Sequence, residues 1–444
     1  MQLRNINVVL LALLLAAMAI IPMVNAETII SSQKILGMRY FTDYQNSIDT
    51  VRSFDHGSLS EYALVTVNSK EFMKDADTNH MIVISIGGKN YQISLEEIPV
   101  PLDKNAKLVL HTQKGISIQD IPPIKQYRGK IIGGTNGDAF FTADDNALLG
   151  KISVGNETYI IEQKGIDSKG NTIQVIYNTK NEIIPKTPVG ENDIWLITPL
   201  KNEILNTTTI KNEVKSATTS TPTVDIMLVY DPQFHNAFPS SNTEVMNMLS
   251  QAGTAFSRSD VGVNFNIKAI VSEYAFSNSD PSSLGQEFVN RDSSLKAQYG
   301  CDLAFLFTGK NLNGNTIGLG AMYTGYESSG YALAQMIPES GSSYTASSNQ
   351  RALEVAHEIG HNFGAAHDGM PPSAYGPPWN VPTWARPTSW WWFGTKYSVM
   401  NPTISDNVNM EFSTSQPIWG AHGDSSHDNA RRITQTKSIV AGYR

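Results

Sequence analysis

Between Ala352 and Asp368 the sequence runs Ala-Leu-Glu-Val-Ala-His357-Glu358-Ile-Gly-His361-Asn-Phe-Gly364-Ala-Ala-His367-Asp368, and nothing else in the chain restricts the fold as sharply. Residues four apart on a helix differ by about 40° in azimuth, so His357 and His361 project from one face, one turn apart. Ala352, Leu353 and Ala356 suit the same buried helix. Two neutral imidazoles so placed can bind one metal ion. Glu358 sits beside such an ion rather than on it, where it can take a proton from water. A continuing helix would carry His367 away. Gly364 resolves this, because glycine tolerates φ > 0, ends the helix and lets the chain turn back. Three nitrogen ligands, His357, His361 and His367, leave one position open, as a catalytic zinc site needs. With five fixed positions at about one in twenty each, coincidence has a chance on the order of one in ten thousand in a chain of this length.

The rest of the 444 residues divides by texture. The chain opens on Arg4, an apolar run from Val8 to Val24 and the small-residue site Val24-Asn25-Ala26. This predicts a signal peptide over 1–26 and export from the cell. An uncleaved membrane anchor is the alternative, the run being at the short edge of a span. Residues 27–205 read as a β-rich region of short strands with no long helical period. The clearest signal is a hairpin with Met81–Ile86 and Tyr91–Leu95 as its arms. Residues 206–222 are rich in Thr, Ser, Asn and Lys and poor in large apolar residues, which predicts an exposed linker. From 223 to 444 strands alternate with helices. Val224–Tyr230, Val263–Val271, Cys301–Phe307, Ile317–Tyr323 and Tyr331–Ile337 are the strands. Ser241–Arg258, Ser283–Ala297 and Ser348–Phe363 are the helices, giving an α/β domain.

Composition excludes several classes. The net charge is −8 with no basic tract, so nucleic acid is not an expected partner. A single cysteine, Cys301, forbids an intrachain disulfide and any multi-cysteine metal cluster. The lone thiol reads as a small buried residue rather than a reactive one.

The pattern H-E-x-x-H-x-x-G-x-x-H resembles that of the metzincin metallopeptidases. Tyr397-Ser398-Val399-Met400-Asn401-Pro402 resembles their Met-turn, in which Met400 packs beneath the metal without binding it. The wording His-Glu-Ile-Gly-His-Asn-Phe-Gly with Asp368, and Met400-x-Pro402, is similar to the adamalysin/reprolysin branch. Pro402 stands where astacins and serralysins place a tyrosine. Residues 127–134 and 148–162 resemble the core of a reprolysin-type propeptide. The resemblance implies a metzincin catalytic domain with a mixed, mostly parallel sheet, an active-site helix and a small C-terminal lobe, preceded by a β-rich prodomain. It implies one catalytic Zn2+, Glu358 as general base, and Gly364, Asp368, Met400 and Pro402 as structural residues near the site. It also implies strand addition of peptide substrate along Gly318, Leu319 and Gly320.

The chain is thus expected to be a secreted zinc endopeptidase made as a proenzyme. Its partners would be protein or peptide substrates and its own propeptide, with no stable membrane association after signal cleavage. Maturation is expected between about Asn206 and Val224. A structural Ca2+ ion is possible but nothing in the sequence supports it. The departures are the missing disulfides and a propeptide without cysteine, so latency has to use a carboxylate, a histidine or steric cover. A non-catalytic binding or adhesion module that keeps the fold is the rival reading, and retention of Glu358 speaks against it. Trp379, Trp384, Trp390, Trp391, Trp392 and Phe393 read mostly as a local core, with a wall of the substrate cleft as the alternative. His422 and His427 read as surface residues.

Overall fold

A computed structural model describes residues 28–29, 40–44, 59–86, 89–133, 136–167, 170–183, 193–195, 221–339, 344–367, 388–390, 394–401, 408–415 and 428–444. The apolar run 8–24, linker residues 206–220, Asp368, Pro402, Trp379, Trp384, Trp391, Trp392, Phe393, His422 and His427 lie outside them. Among the described residues no helix is long and apolar enough to cross a membrane.

The N-terminal half builds β1 (Thr28–Ile29), β2 (Phe41–Asp43), β3 (Glu61–Val67), helix α1 (Ser69–Asn79), β4 (Met81–Ile86), β5 (Lys89–Ile98), β6 (Leu102–Thr112), β7 (Gly115–Asp120), β8 (Lys125–Ile132), β9 (Gly137–Ala143), β10 (Leu148–Val154), β11 (Glu157–Ile166), β12 (Thr172–Asn178) and β13 (Ile194–Trp195). A ten-stranded sheet has the order β1-β3-β12-β11-β10-β9-β8-β5-β4, with β2 beside β3. The hairpin expected at Met81 is present as β4 and β5. Helix α1 corrects the reading of this region as strands alone. Its only large apolar residues are Phe72 and Met73, too few to print a helical period. Asn68 caps it by accepting from the Glu71 amide, and Phe72 wedges among the rings of Tyr40, Tyr127 and Phe141.

The C-terminal half follows with β14 (Thr223–Tyr230), α2 (Pro232–Ala237), α3 (Ser241–Arg258), β15 (Asn264–Ser272), α4 (Pro281–Gln298), β16 (Leu303–Thr308), β17 (Gly318–Ala321), β18 (Tyr331–Gln335), α5 (Ser348–Asn362), the short β19 (Thr388–Trp390) and β20 (Gly394–Lys396), and α6 (Asn429–Val440). The strand expected from Cys301 begins at Leu303. Cys301 precedes it, following Gly300 at φ 62°. Burial pushes its thiol up to about 12, which fits an inert residue.

The second sheet is mixed and mostly parallel, in the order β13-β17-β18-β16-β14-β15-β6-β7. Strand β14 shows how it is packed. Val224, Ile226, Leu228 and Tyr230 face the core under α3 and α5, while Met227 and Val229 face the core on the α4 side. A strand buried on both faces reads as a continuous apolar run, which is why this element was plain in the sequence.

The sheet also takes strands from the N-terminal half at both ends. At one end β6 runs parallel to β15, placing Leu108 in one core and Val109 in the other, and β7 closes that edge. At the other end β13 runs parallel to β17. A buried ionic group joins the halves elsewhere: Arg351 of α5 donates to Glu244 of α3 at 2.7 Å and to Glu162 of β11 at 3.0 Å. Such a group adds little net stability when intact. Removing one member costs about 3–5 kcal/mol because the remaining charge stays buried.

Candidate metal centre and cleft

Helix α5 starts at Ser347, whose hydroxyl accepts from the Gln350 amide. It ends in a Schellman turn: the Ala365 amide donates to the Gly360 carbonyl and the Gly364 amide to that of His361. Gly364 has φ 87°, and a Cβ there would lie 2.9 Å from Arg432 Nε. Glycine is therefore required for both backbone and space, and the turn brings His367 back to the helix as the spacing predicted.

The three histidine rings form a near-equilateral set with centroids 4.9, 4.9 and 5.0 Å apart. His357 Nδ1 lies 2.8 Å from the Val399 carbonyl and His361 Nδ1 lies 2.8 Å from that of Ala365. A carbonyl only accepts, so in both rings Nδ1 carries the proton and Nε2 presents its lone pair inward. Burial pushes His361 down to about 4, keeping it a neutral ligand.

A fourth group completes the cluster, and no local sequence pattern points to it. Asp193, the residue before β13, places its carboxylate 3.3 Å from His357 Nε2, 3.2 Å from His367 Nε2 and 3.7 Å from His361 Nε2. Ligand atoms of all four residues lie within 4.8 Å of one another, and all four are buried. Burial pushes the Asp193 carboxyl up, but the three histidines outweigh it and hold it well below the usual carboxylate range. His361 Nε2 and Asp193 Oδ1 are buried without a hydrogen-bond partner. Imidazole nitrogens and carboxylate oxygens that converge this closely, with His357 Nε2 2.9 Å from His367 Nε2, suit a cation. Nitrogen and oxygen donors in this number fit a tetrahedral metal ion.

Glu358 stands between α5 and β17 with both carboxylate oxygens buried and unpartnered. Burial, then Asp193 and Glu354, push it well above the usual range. Glu354, one turn earlier, is pushed to about 7, first by burial. The glycines of β17 explain how two carboxyls fit there. A Cβ at Gly318 would lie 2.1 Å from Glu358 Oε1 and 2.2 Å from Glu354 Oε1, and one at Gly320 would lie 2.8 Å from Glu358 Oε2. So Gly318 and Gly320 let the strand approach the helix, while Leu319 faces the α4 core. The outer edge of β17, expected to receive substrate, is covered by β13: Gly320 N donates to the Asp193 carbonyl and Met322 N to that of Trp195. Met400 is fully buried, with its sulfur 2.8 Å from where a Cβ at Gly360 would sit, directly against α5.

Residues 220–413 match the model of metallo-peptidase family M12, Reprolysin_5. The matched segment includes Glu358, the three histidines and Met400, and excludes Asp193. The chain is 38% identical over 92 residues to disintegrin and metalloproteinase domain-containing protein 19 of Mus musculus, covering 20% of this chain and 9% of that protein. It is 30% identical over 117 residues to peptidase T of Enterococcus faecalis, covering 26% of each. It therefore spans about a quarter or less of the length of these relatives. Among solved structures, metalloproteinase-II from Bacteroides fragilis aligns with TM-score 0.42 at 11% identity, over 76% of this chain and 88% of that one. A chaperone-substrate complex aligns with TM-score 0.37 at 14% identity, over 50% and 36%.

One supporting residue escaped the sequence reading. Asn362 Nδ2 lies within 3.0 Å of the carbonyls of Ala321, Ser329 and Tyr331, tying the end of α5 to β17 and β18. Asn362→Leu takes that donor from three buried carbonyls and is expected to cost about 2 kcal/mol or more. The readout is the urea unfolding midpoint, and an unchanged midpoint would remove the staple from the account.

Proposed function

We propose that this chain is a secreted zinc-dependent metalloendopeptidase made as a proenzyme. The observation that carries the reading is the convergence of three inward imidazole nitrogens beside a buried, unpartnered Glu358 at a strand-accepting edge. His357, His361 and His367 would hold the zinc, whose chemistry when bound is to lower the pKa of a water and to polarise the scissile carbonyl. Glu358 takes the proton of the attacking water and passes it to the leaving amine nitrogen. The edge of β17 orients the peptide by main-chain hydrogen bonds. Met400 supports the helix that carries two of the ligands.

Latency follows from Asp193 and β13 in this reading. The Asp193 carboxylate takes the position that the reaction needs for water, and β13 takes the edge that the reaction needs for substrate. The missing propeptide cysteine is thereby replaced by a carboxylate. A cut within 206–222 would free the N-terminal half, and the apolar run 8–24 supports export. A non-catalytic binding module is disfavoured because Glu358 is kept although its burial without a partner is costly.

The test is hydrolysis of a peptide library by the full chain after cleavage in the linker, with and without chelator. Cleavage abolished by chelation and restored by zinc is expected. Chelator-insensitive cleavage, or no cleavage by protein carrying one zinc per chain, would overturn the proposal.

A further inference from the structure

Helix α4 has a glycine in its interior, Gly285. It is absent from the glycines with positive φ, so its backbone is ordinary helix that any residue adopts. Interior glycine costs about 1 kcal/mol relative to alanine. The compensation is space. A Cβ at Gly285 would lie 3.0 and 3.1 Å from Cζ3 and Cη2 of Trp195 and 3.3 Å from Leu319 Cδ2. The half-buried Trp195 thus seats its six-membered ring in a notch cut into the helix, against the core that holds Leu284, Phe288 and Leu319.

The position of the notch is fixed by hydrogen bonds. Trp195 lies two residues beyond Asp193, and the carbonyls of both accept from β17, at 2.9 Å from Gly320 N and 3.0 Å from Met322 N. An extended chain on this edge therefore places one residue at the metal cluster and, two residues on, another whose side chain reaches the notch. The notch belongs to α4 and β17, which remain when the N-terminal half leaves, and its apolar floor would then be open.

We propose that the Gly285 notch is a substrate subsite for an aromatic side chain, occupied here by Trp195. This rests on the peptidase reading above. Strand β13 runs parallel to β17, whereas antiparallel pairing is the somewhat more stable arrangement for a free peptide. An antiparallel substrate lays its amino-terminal part toward Ala321. The aromatic residue is then the third on the amino-terminal side of the scissile bond, two before the one whose carbonyl faces the metal.

Two measurements on the full chain cut in its linker test this. In a peptide series varied at that position, Trp or Phe should give at least tenfold higher kcat/KM than Ala. Gly285→Leu, which fills the notch with a good helix former, should collapse the ratio toward one, with circular dichroism confirming the helix. A flat profile at that position, or a preference that Gly285→Leu leaves intact, overturns the subsite. Independently of catalysis, a synthetic peptide of residues 190–197 should bind at least tenfold more weakly when it carries Trp195→Ala, and equal binding overturns it too. If no peptide is cut at all, the peptidase reading fails, and the binding comparison still decides the notch.

Discussion

A Glu358→Ala chain, cut in the linker like the parent, is expected to lose peptide hydrolysis by about a thousandfold, within the span that a positioned acid–base group contributes. Its metal content should be unchanged, because Glu358 stands beside the three histidines and contributes no ligand atom to their cluster. Its stability should not fall. Both carboxylate oxygens are buried without a partner, so truncation removes an uncompensated polar group. Loss of activity with equal or higher thermal midpoint is the signature of a residue kept for chemistry at the expense of stability. Activity within a few-fold of the parent would sink the general-base assignment. Glu358→Gln keeps the volume that Gly318 and Gly320 leave room for, and it should behave alike.

The second large effect concerns Asp193. In the uncut chain, Asp193→Ala is expected to raise hydrolysis of small peptides at least tenfold over the parent. It opens the fourth position of the cluster, while β13 still covers the edge of β17. Activity should therefore remain below that of the cut chain, and linker cleavage should quicken if the chain cuts itself. Asp193→Asn keeps the shape but removes the charge, and should fall between the two. If the uncut Asp193→Ala chain stays as silent as the parent while its cut form is fully active, latency is steric cover by β13. This one comparison separates a carboxylate block from steric cover, two of the three devices that the missing cysteine leaves open.

Legibility followed the range of the interactions. Helix α5 with its two histidines, the turn at Gly364 and the return of His367 depend on contacts within about three turns of chain. The apolar strands β14 and β16 were plain because burial on both faces leaves no polar alternation. Gly318 and Gly320, expected to pair with substrate, stand in β17 under the cover of β13. They are small so that β17 can lie against Glu354 and Glu358. Helix α1 prints no helical period in the sequence, because most of its surface is polar and its packing rests on Phe72. Hairpin β6–β7 belongs by sequence to the N-terminal β region, yet it completes the sheet of the C-terminal half.

By itself the sequence determined a helix that presents two imidazoles on one face, a glycine that returns a third, and a carboxylate beside them. These follow from helical periodicity and from the φ that only glycine adopts freely, both local properties. Only the tertiary structure decided what meets them. Asp193 lies 164 positions before His357 in the chain and touches it because β13 pairs with β17. Asn362 serves three carbonyls from different elements, and Gly285 makes room for a tryptophan from the other half of the chain. Such contacts are set by which strands share an edge and which surfaces exclude water together, and a one-dimensional pattern carries no period for either.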